Sequence, residues 1–236
     1  MSKFNKTKIL NTVFFVFNIL AIAVMFTMNY FYQKAGFDYT LKCSISGMFA
    51  SLGIINLIYA LFSGAENKKF HVMMAAGLVL AMMGDVYINR DFITGAAVFA
   101  MGHVCFVVAY CFLWKMRITD IVISGVLFIG GAAFLMSPLL TFKEPLFKYI
   151  CVGYDLIISL MLGKAVGNFI KSRNIFTGLV AFASALFFFS DLMLVLDWFI
   201  GRWDWTDNAC MGTYYPALCF LALSMIVKII KDKKNV

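Results

Sequence analysis

Residues 175–191 read IFTGLVAFASALFFFSD, an unbroken run of apolar and small uncharged residues that ends in a single acid. Nothing in it alternates, so it offers water no polar face and has no strand period. The stretch at 7–26, TKILNTVFFVFNILAIAVMF, is likewise apolar all round beyond Lys8. Barrel strands would show alternating segments of about ten residues, so both runs read as membrane-crossing helices. Working outward, charge-poor runs separated by basic residues divide the chain into eight spans, 9–31, 43–63, 70–88, 92–114, 119–140, 146–164, 175–199 and 209–230. Each is long enough to cross ~30 Å of hydrocarbon with some tilt.

The composition agrees. Of 236 residues, 63% are hydrophobic and 14% charged, whereas soluble domains run nearer half apolar and a quarter charged. Eight crossings leave no room for a soluble domain, so residues 1–236 are expected to form one all-α integral membrane domain. Secreted enzymes, cytosolic folds and nucleic-acid readers are excluded. The net charge of +8 belongs to membrane surfaces. Six cysteines, none in C-x-x-C spacing, sit in or beside apolar stretches and read as core thiols. Lys3, Lys6 and Lys8 ahead of an apolar run imitate a signal peptide, but the run continues to Gln33 without a small-residue cleavage site, so it is read as a retained first helix.

Alternate loops differ in basic content. The N-terminus, the loops 64–69, 115–118 and 164–174, and the stretch from Lys228 onward hold 14 Lys and Arg, against 6 in the other four loops (Lys34, Lys42, Arg90, Lys143, Lys148 and Arg202). This asymmetry predicts that both termini face the cytoplasm. The third and seventh spans then run outward, and each carries an acid late in its apolar run, in LAMMGDVYINRDF and LFFFSDLMLVLDWF. A small residue precedes each acid, an aromatic follows, and Asp85 and Asp191 are 106 positions apart. Four helices repeated in parallel as four more would explain that offset.

Carboxylates at depth carry the most information, because each costs at least a few kcal/mol unless paired, hydrated or neutralised. Asp85 and Asp191 lie roughly 22–24 Å along their helices, at similar depth. His103 sits on a stripe of Gly95, Phe99, Gly102, Phe106 and Tyr110 at three- and four-residue steps, a close-packing face. Asp155, Tyr214 and Tyr215 are further polar groups at depth, able to satisfy a neighbour or to touch a substrate. Two histidines 32 residues apart without H-E-x-x-H do not make a zinc site. Neither a G-x-S-x-G elbow nor a phosphate-cradling glycine loop occurs. Metal-free acid–base work by carboxylates remains, with one of two neighbouring aspartates holding a proton.

Several motifs together resemble the YhhN family, eight-helix membrane proteins that include the animal lysoplasmalogenases. They are GD, F-x-x-G and GH in MMGDVYINRDFITGAAVFAMGH, the YDLIISLM segment, SDLMLVLDWF, and the paired tyrosines of GTYYPAL, in order from 84 to 215; LKCS before them is similar to the family's Lys-Pro start of the second helix. Cys43 and Leu218 depart from the family pattern, which often has proline and glutamine there. The resemblance implies hydrolysis of the vinyl ether of a lysoplasmalogen to a fatty aldehyde and a glycerophospho-base. It implies Asp85 and Asp191 as the acid–base pair, with His103, Tyr154, Ser190, Tyr214 and Tyr215 as substrate-pocket partners. Asp155 joins that set by its depth. Protonation of the vinyl ether at carbon, followed by capture of the oxocarbenium ion by water, needs one acid and one anion, and no metal or cofactor. The expected partners are a lysophospholipid and the bilayer, with no nucleic acid. The expected location is a bacterial plasma membrane, or the endoplasmic reticulum of a eukaryote. Two rivals stand beside this reading: a lipid-binding or proton-coupled transporter, and an intramembrane aspartyl protease, against which Phe188-Phe189-Ser190 before Asp191 and the span count argue.

Overall fold

The computed structural model describes residues 3–142, 145–201 and 204–234, and every regular element among them is an α-helix. Lys143 and Arg202, two of the loop charges counted above, lie outside the described residues. The helices are α1 (Lys3–Lys34), α2 (Tyr39–Phe62), α3 (Lys68–Ile88), α4 (Phe92–Leu113), α5 (Ile118–Met136), α6 (Pro145–Lys171), α7 (Ile175–Phe199) and α8 (Asp204–Lys234). Each holds a window long and apolar enough to cross a membrane, so the chain is a multi-pass membrane protein. The α7 bounds are those expected. The largest difference is α6, which runs to Lys171 instead of stopping at 164.

The reason lies in Lys164. Expected as a loop charge, it is a fully buried α6 residue whose Nζ donates to Asp120 Oδ2 at 2.7 Å and to the Lys115 carbonyl at 3.0 Å. Arg117 takes the other Asp120 oxygen at 2.8 Å. A lysine paired this way need not end a helix, since its charge is met inside the protein. Lys42 is corrected likewise: it is a buried residue of α2 and no loop charge. Both corrections leave the basic asymmetry in the same direction.

Turn chemistry sets the short connections. Asp38, Asp91 and Asn174 accept backbone N–H bonds from Leu41, Thr94 and Thr177 at 2.9, 2.9 and 3.2 Å, capping α2, α4 and α7. Consecutive helices pack beside one another except α4 and α5, as short connections between antiparallel neighbours require.

α8 is the most enclosed helix, with 72% of its membrane window buried, and α5 the least, with 17%. α8 packs on α1, α2, α3 and α7, α4 packs on α3 and α6, and α5 packs on α6 alone among the described residues. Polar side chains tie helices where water is absent. Asn18 and Asn56 exchange amide bonds at 2.9 and 2.7 Å, and Asn56 also donates to the Ala222 carbonyl at 2.9 Å. Close approach does the rest. On Gly95 a Cβ would stand 2.5 Å from the Ile88 Cα, and on Gly163 a Cβ would stand 2.7 Å from the Ser124 backbone nitrogen.

Gly163→Ala is therefore expected to force α5 from α6 and cost about 1–3 kcal/mol, read as a lower melting temperature in detergent. Gly125→Ala, where a Cβ meets nothing within 4 Å, is the control that leaves it unchanged. At the start of α4, the Thr94 hydroxyl and backbone N–H hold the exposed Asp91 carboxyl below its usual range. A depressed carboxylate stabilises the fold above its unfolded value near 3.9 and loses that contribution as pH falls through the folded value. Asp91→Ala should lower the melting temperature near neutral pH, and the difference from the unmodified protein should narrow as pH falls below the unfolded value and through the folded one.

Candidate functional site

Asp191 stands two turns from the end of α7 and is met by side chains from two other helices. Tyr154 of α6 donates its hydroxyl to Asp191 Oδ2 at 2.7 Å. His103 of α4 has its Nε2 2.7 Å from the same hydroxyl and 3.3 Å from the same carboxyl oxygen. With Tyr154 donating to an anionic Asp191, His103 donates from Nε2 to the tyrosine oxygen. With the proton on Asp191, the order reverses: Asp191 donates to Tyr154, and Tyr154 to Nε2. The three groups form a relay that can carry a proton either way. Ser190 turns aside, donating to the Phe187 carbonyl at 2.7 Å and reaching Asp191 only at 3.5 Å.

Asp85 is organised in parallel fashion on α3. Ser46 of α2 donates to its Oδ2 at 2.5 Å and Tyr214 of α8 at 3.0 Å. Lys42, one turn before Ser46 on α2, places its ammonium 3.7 Å from Oδ1 and donates to Asn89 at 3.2 Å. Both charges are almost wholly buried, so Asp85 has a permanent counter-charge that Asp191 lacks. Gly84 makes this register possible, since a Cβ there would run into the Phe99 ring.

A cavity of about 530 Å³ lies among α4, α5, α6 and α7, on the side where α5 stands off from its neighbours. Its walls are apolar, Phe92, Phe99, Phe134, Ile158 and Val195 among them, and Tyr154, Asp155 and Asp191 supply its polar groups beside the Cys151 thiol. The lining comes from the ends of these helices nearer residues 89–91, 137–142 and 200–201. Apolar walls with a few convergent polar groups are what small-molecule sites present.

Of the residues expected from sequence, Asp191, Tyr154 and Asp155 reach the cavity, and His103 backs them through Tyr154. Asp85, Ser190, Tyr214 and Tyr215 are not on its wall. Aromatic rings pack on the partners of both carboxylates: Phe187 lies 4.6 Å from His103 and 5.3 Å from Tyr214 between ring centroids, and Phe99 lines the cavity and packs edge-on against Tyr214 at 6.0 Å. Tyr215 lies a layer deeper, against Tyr214 and Phe49. Sequence reasoning missed Lys42 and Ser46 as partners of Asp85. Their i, i+4 spacing put them on one helix face, but a lysine near a span end reads first as a surface charge.

The sequence model of the YhhN family matches residues 45–225, which takes in every candidate residue above except Lys42. No curated protein and no solved structure matches the chain. A match over most of the sequence, in the order its motifs were read, makes this chain a member of the YhhN family.

Proposed function

We propose that this protein hydrolyses the vinyl-ether bond of lysoplasmalogen-type lipids within the membrane, releasing a fatty aldehyde and a glycerophospho-base. The observation that carries the reading is Asp191, a carboxyl held by a Tyr154–His103 relay on the wall of a mostly apolar cavity among candidate membrane-spanning helices. Family membership agrees with a hydrolase of this kind.

The path asks little else of the protein. Asp191 gives its proton to the β-carbon of the vinyl ether, and the C=C π electrons form the new C–H bond while the ether oxygen shares the resulting positive charge. The carboxylate left behind faces the oxocarbenium ion and stabilises it. Water adds to the cationic carbon and returns a proton to Asp191, and the hemiacetal collapses to aldehyde and alcohol. One carboxyl thus acts as acid and then as base, with Tyr154 and His103 reversing their hydrogen bonds at each change. Asp85, the second member of the aspartate pair, works from off the cavity wall. Its charge is balanced by Lys42, and it positions Tyr214 against Phe99.

Two features of architecture belong to the same proposal. The polar partners of Asp85 come from α2 and α8, and those of Asp191 from α6 and α4, which is the correspondence a parallel repeat of four helices requires. α1 packs on α8, whereas α5 has no such contact with α4; in the repeat, the cavity fills the place of that missing contact. With both termini cytoplasmic, the cavity lies in the outward half of the bilayer.

The reaction is tested with purified protein and a vinyl-ether lysolipid in deuterated water, where the aldehyde should carry one deuterium on the carbon beside its carbonyl. Alkyl-ether and acyl analogues of equal length should stay intact, and release of fatty acid from the acyl lipid at a comparable rate would refute the mechanism. Asp191→Asn is expected to lower kcat about 10²–10⁴-fold, and Asp85→Asn to cost less. Equal losses would instead restore two equivalent catalytic carboxylates. Reporter fusions at both ends should place the termini in the cytoplasm, and either end found outside would overturn the orientation.

A further inference from the structure

Asp155 is the buried acid that the proposed chemistry leaves unused. It lies on α6 immediately after Tyr154, lines the same cavity as Asp191, and is 8% exposed. Its Oδ1 accepts only a long bond from Ser159 at 3.3 Å. Its Oδ2 is the only buried carboxyl oxygen among the described residues without a hydrogen-bond partner. No ammonium or guanidinium of the described residues is within ion-pair distance. The other buried acids of the described residues are answered: Asp85 by Lys42, Ser46 and Tyr214, Asp120 by Lys164 and Arg117, Asp197 by Thr206 and Asp232 by Lys228, as is the partly buried Asp191 by Tyr154 and His103.

The gap beside Asp155 is built by the chain. It faces Gly131 of α5, where any Cβ would overlap the carboxyl group. Gly131 lines the cavity too, so the absence of a side chain there leaves the carboxyl room against the cavity wall. A buried oxygen without a donor is costly, and a ligand that brings a donor recovers that cost on binding.

We propose that Asp155 reads a free hydroxyl on the glycerol of the bound lipid, and so selects single-chain over two-chain lipids. The inference rests on the lysolipid reading of the cavity. In a glycerolipid with one ether-linked chain, the carbon next to the chain-bearing one carries a free hydroxyl, two bonds from the ether-bearing carbon's oxygen. A lipid that offers its vinyl ether to Asp191 offers this hydroxyl to the same stretch of wall. A second acyl chain would replace the donor with an ester and leave Asp155 unanswered.

The test uses the purified full-length protein and saturated alkyl-ether lysolipids, which bind without being cleaved. Three ligands are compared, bearing a free hydroxyl, a methoxy group or hydrogen on the central glycerol carbon, each with ethanolamine and with choline head groups. The unmodified protein should bind the hydroxyl ligand about ten- to hundredfold more tightly than the other two. Asp155→Leu should bring the three within about threefold, while Asp155→Asn, whose amide oxygen still accepts, keeps most of the preference. Should Asp155→Leu fail to fold, Gly131→Ala carries the test by pushing on the carboxyl without removing it, and should weaken the preference severalfold. An unchanged preference in folded Asp155→Leu or in Gly131→Ala would overturn the proposal, as would a preference that follows the head-group amine. Hydroxyl-selective binding in a protein that cleaves no vinyl ether would sink the hydrolase reading and leave this one standing.

Discussion

A carboxyl group in hydrocarbon must find its donors inside the protein, because no water is there to supply them. In this bundle that demand decides which helices meet. Asp120 draws Lys164 and Arg117 together and locks one end of α5 to α6. Asp85 gathers α2 and α8 around α3, and Asp191 gathers α6 and α4 around α7. Glycines then let the backbones close around these groups, as Gly163 does against Ser124. Removing one partner of a buried pair strands the other charge, typically at 3–5 kcal/mol, so these contacts constrain the arrangement more than any apolar residue does.

The same demand distributes chemical roles. Asp85 has a lysine within ion-pair distance and does not line the cavity, which suits a fixed charge that holds its neighbours in place. Asp191 has only a tyrosine and a histidine, both able to give or take a proton, and it reaches the cavity. In a medium of low dielectric, the identity of the nearest partner matters more than the carboxyl itself. Two acids that look alike in local sequence therefore occupy unlike positions with respect to a ligand.

The peripheral placement of α5 has a functional consequence. A helix that packs on α6 alone among the described residues leaves a cavity flanked by lipid-facing structure, which under the proposed function a lipid would reach from within the bilayer. The cavity lining is mostly apolar, so an alkenyl chain bound there would exchange one hydrocarbon setting for another. Affinity must then come from the few polar groups, and those are Tyr154, Asp155 and Asp191.

The class of protein and the number of helices were legible in the sequence, because hydrophobicity summed along a single helix reports its solvent directly; α7 shows this, its expected and observed bounds coinciding. The family was legible as well, through GD, GH, SD and the paired tyrosines in order. Asp191 could be named from its depth and His103 from the packing stripe it sits on, whereas Tyr154 came with the family resemblance. What a linear reading could not reach was which groups face one another across the gaps between helices. Lys42 and Lys164 read as surface charges until the structure set Asp85 and Asp120 against them, and only the structure shows that Asp191 lines the cavity and Asp85 does not. Only the tertiary structure set the Asp155 carboxyl against Gly131 with its Oδ2 lacking a donor. The physical reason is that burial depth is a property of one helix, whereas the state and role of a buried charge depend on its neighbours from other helices.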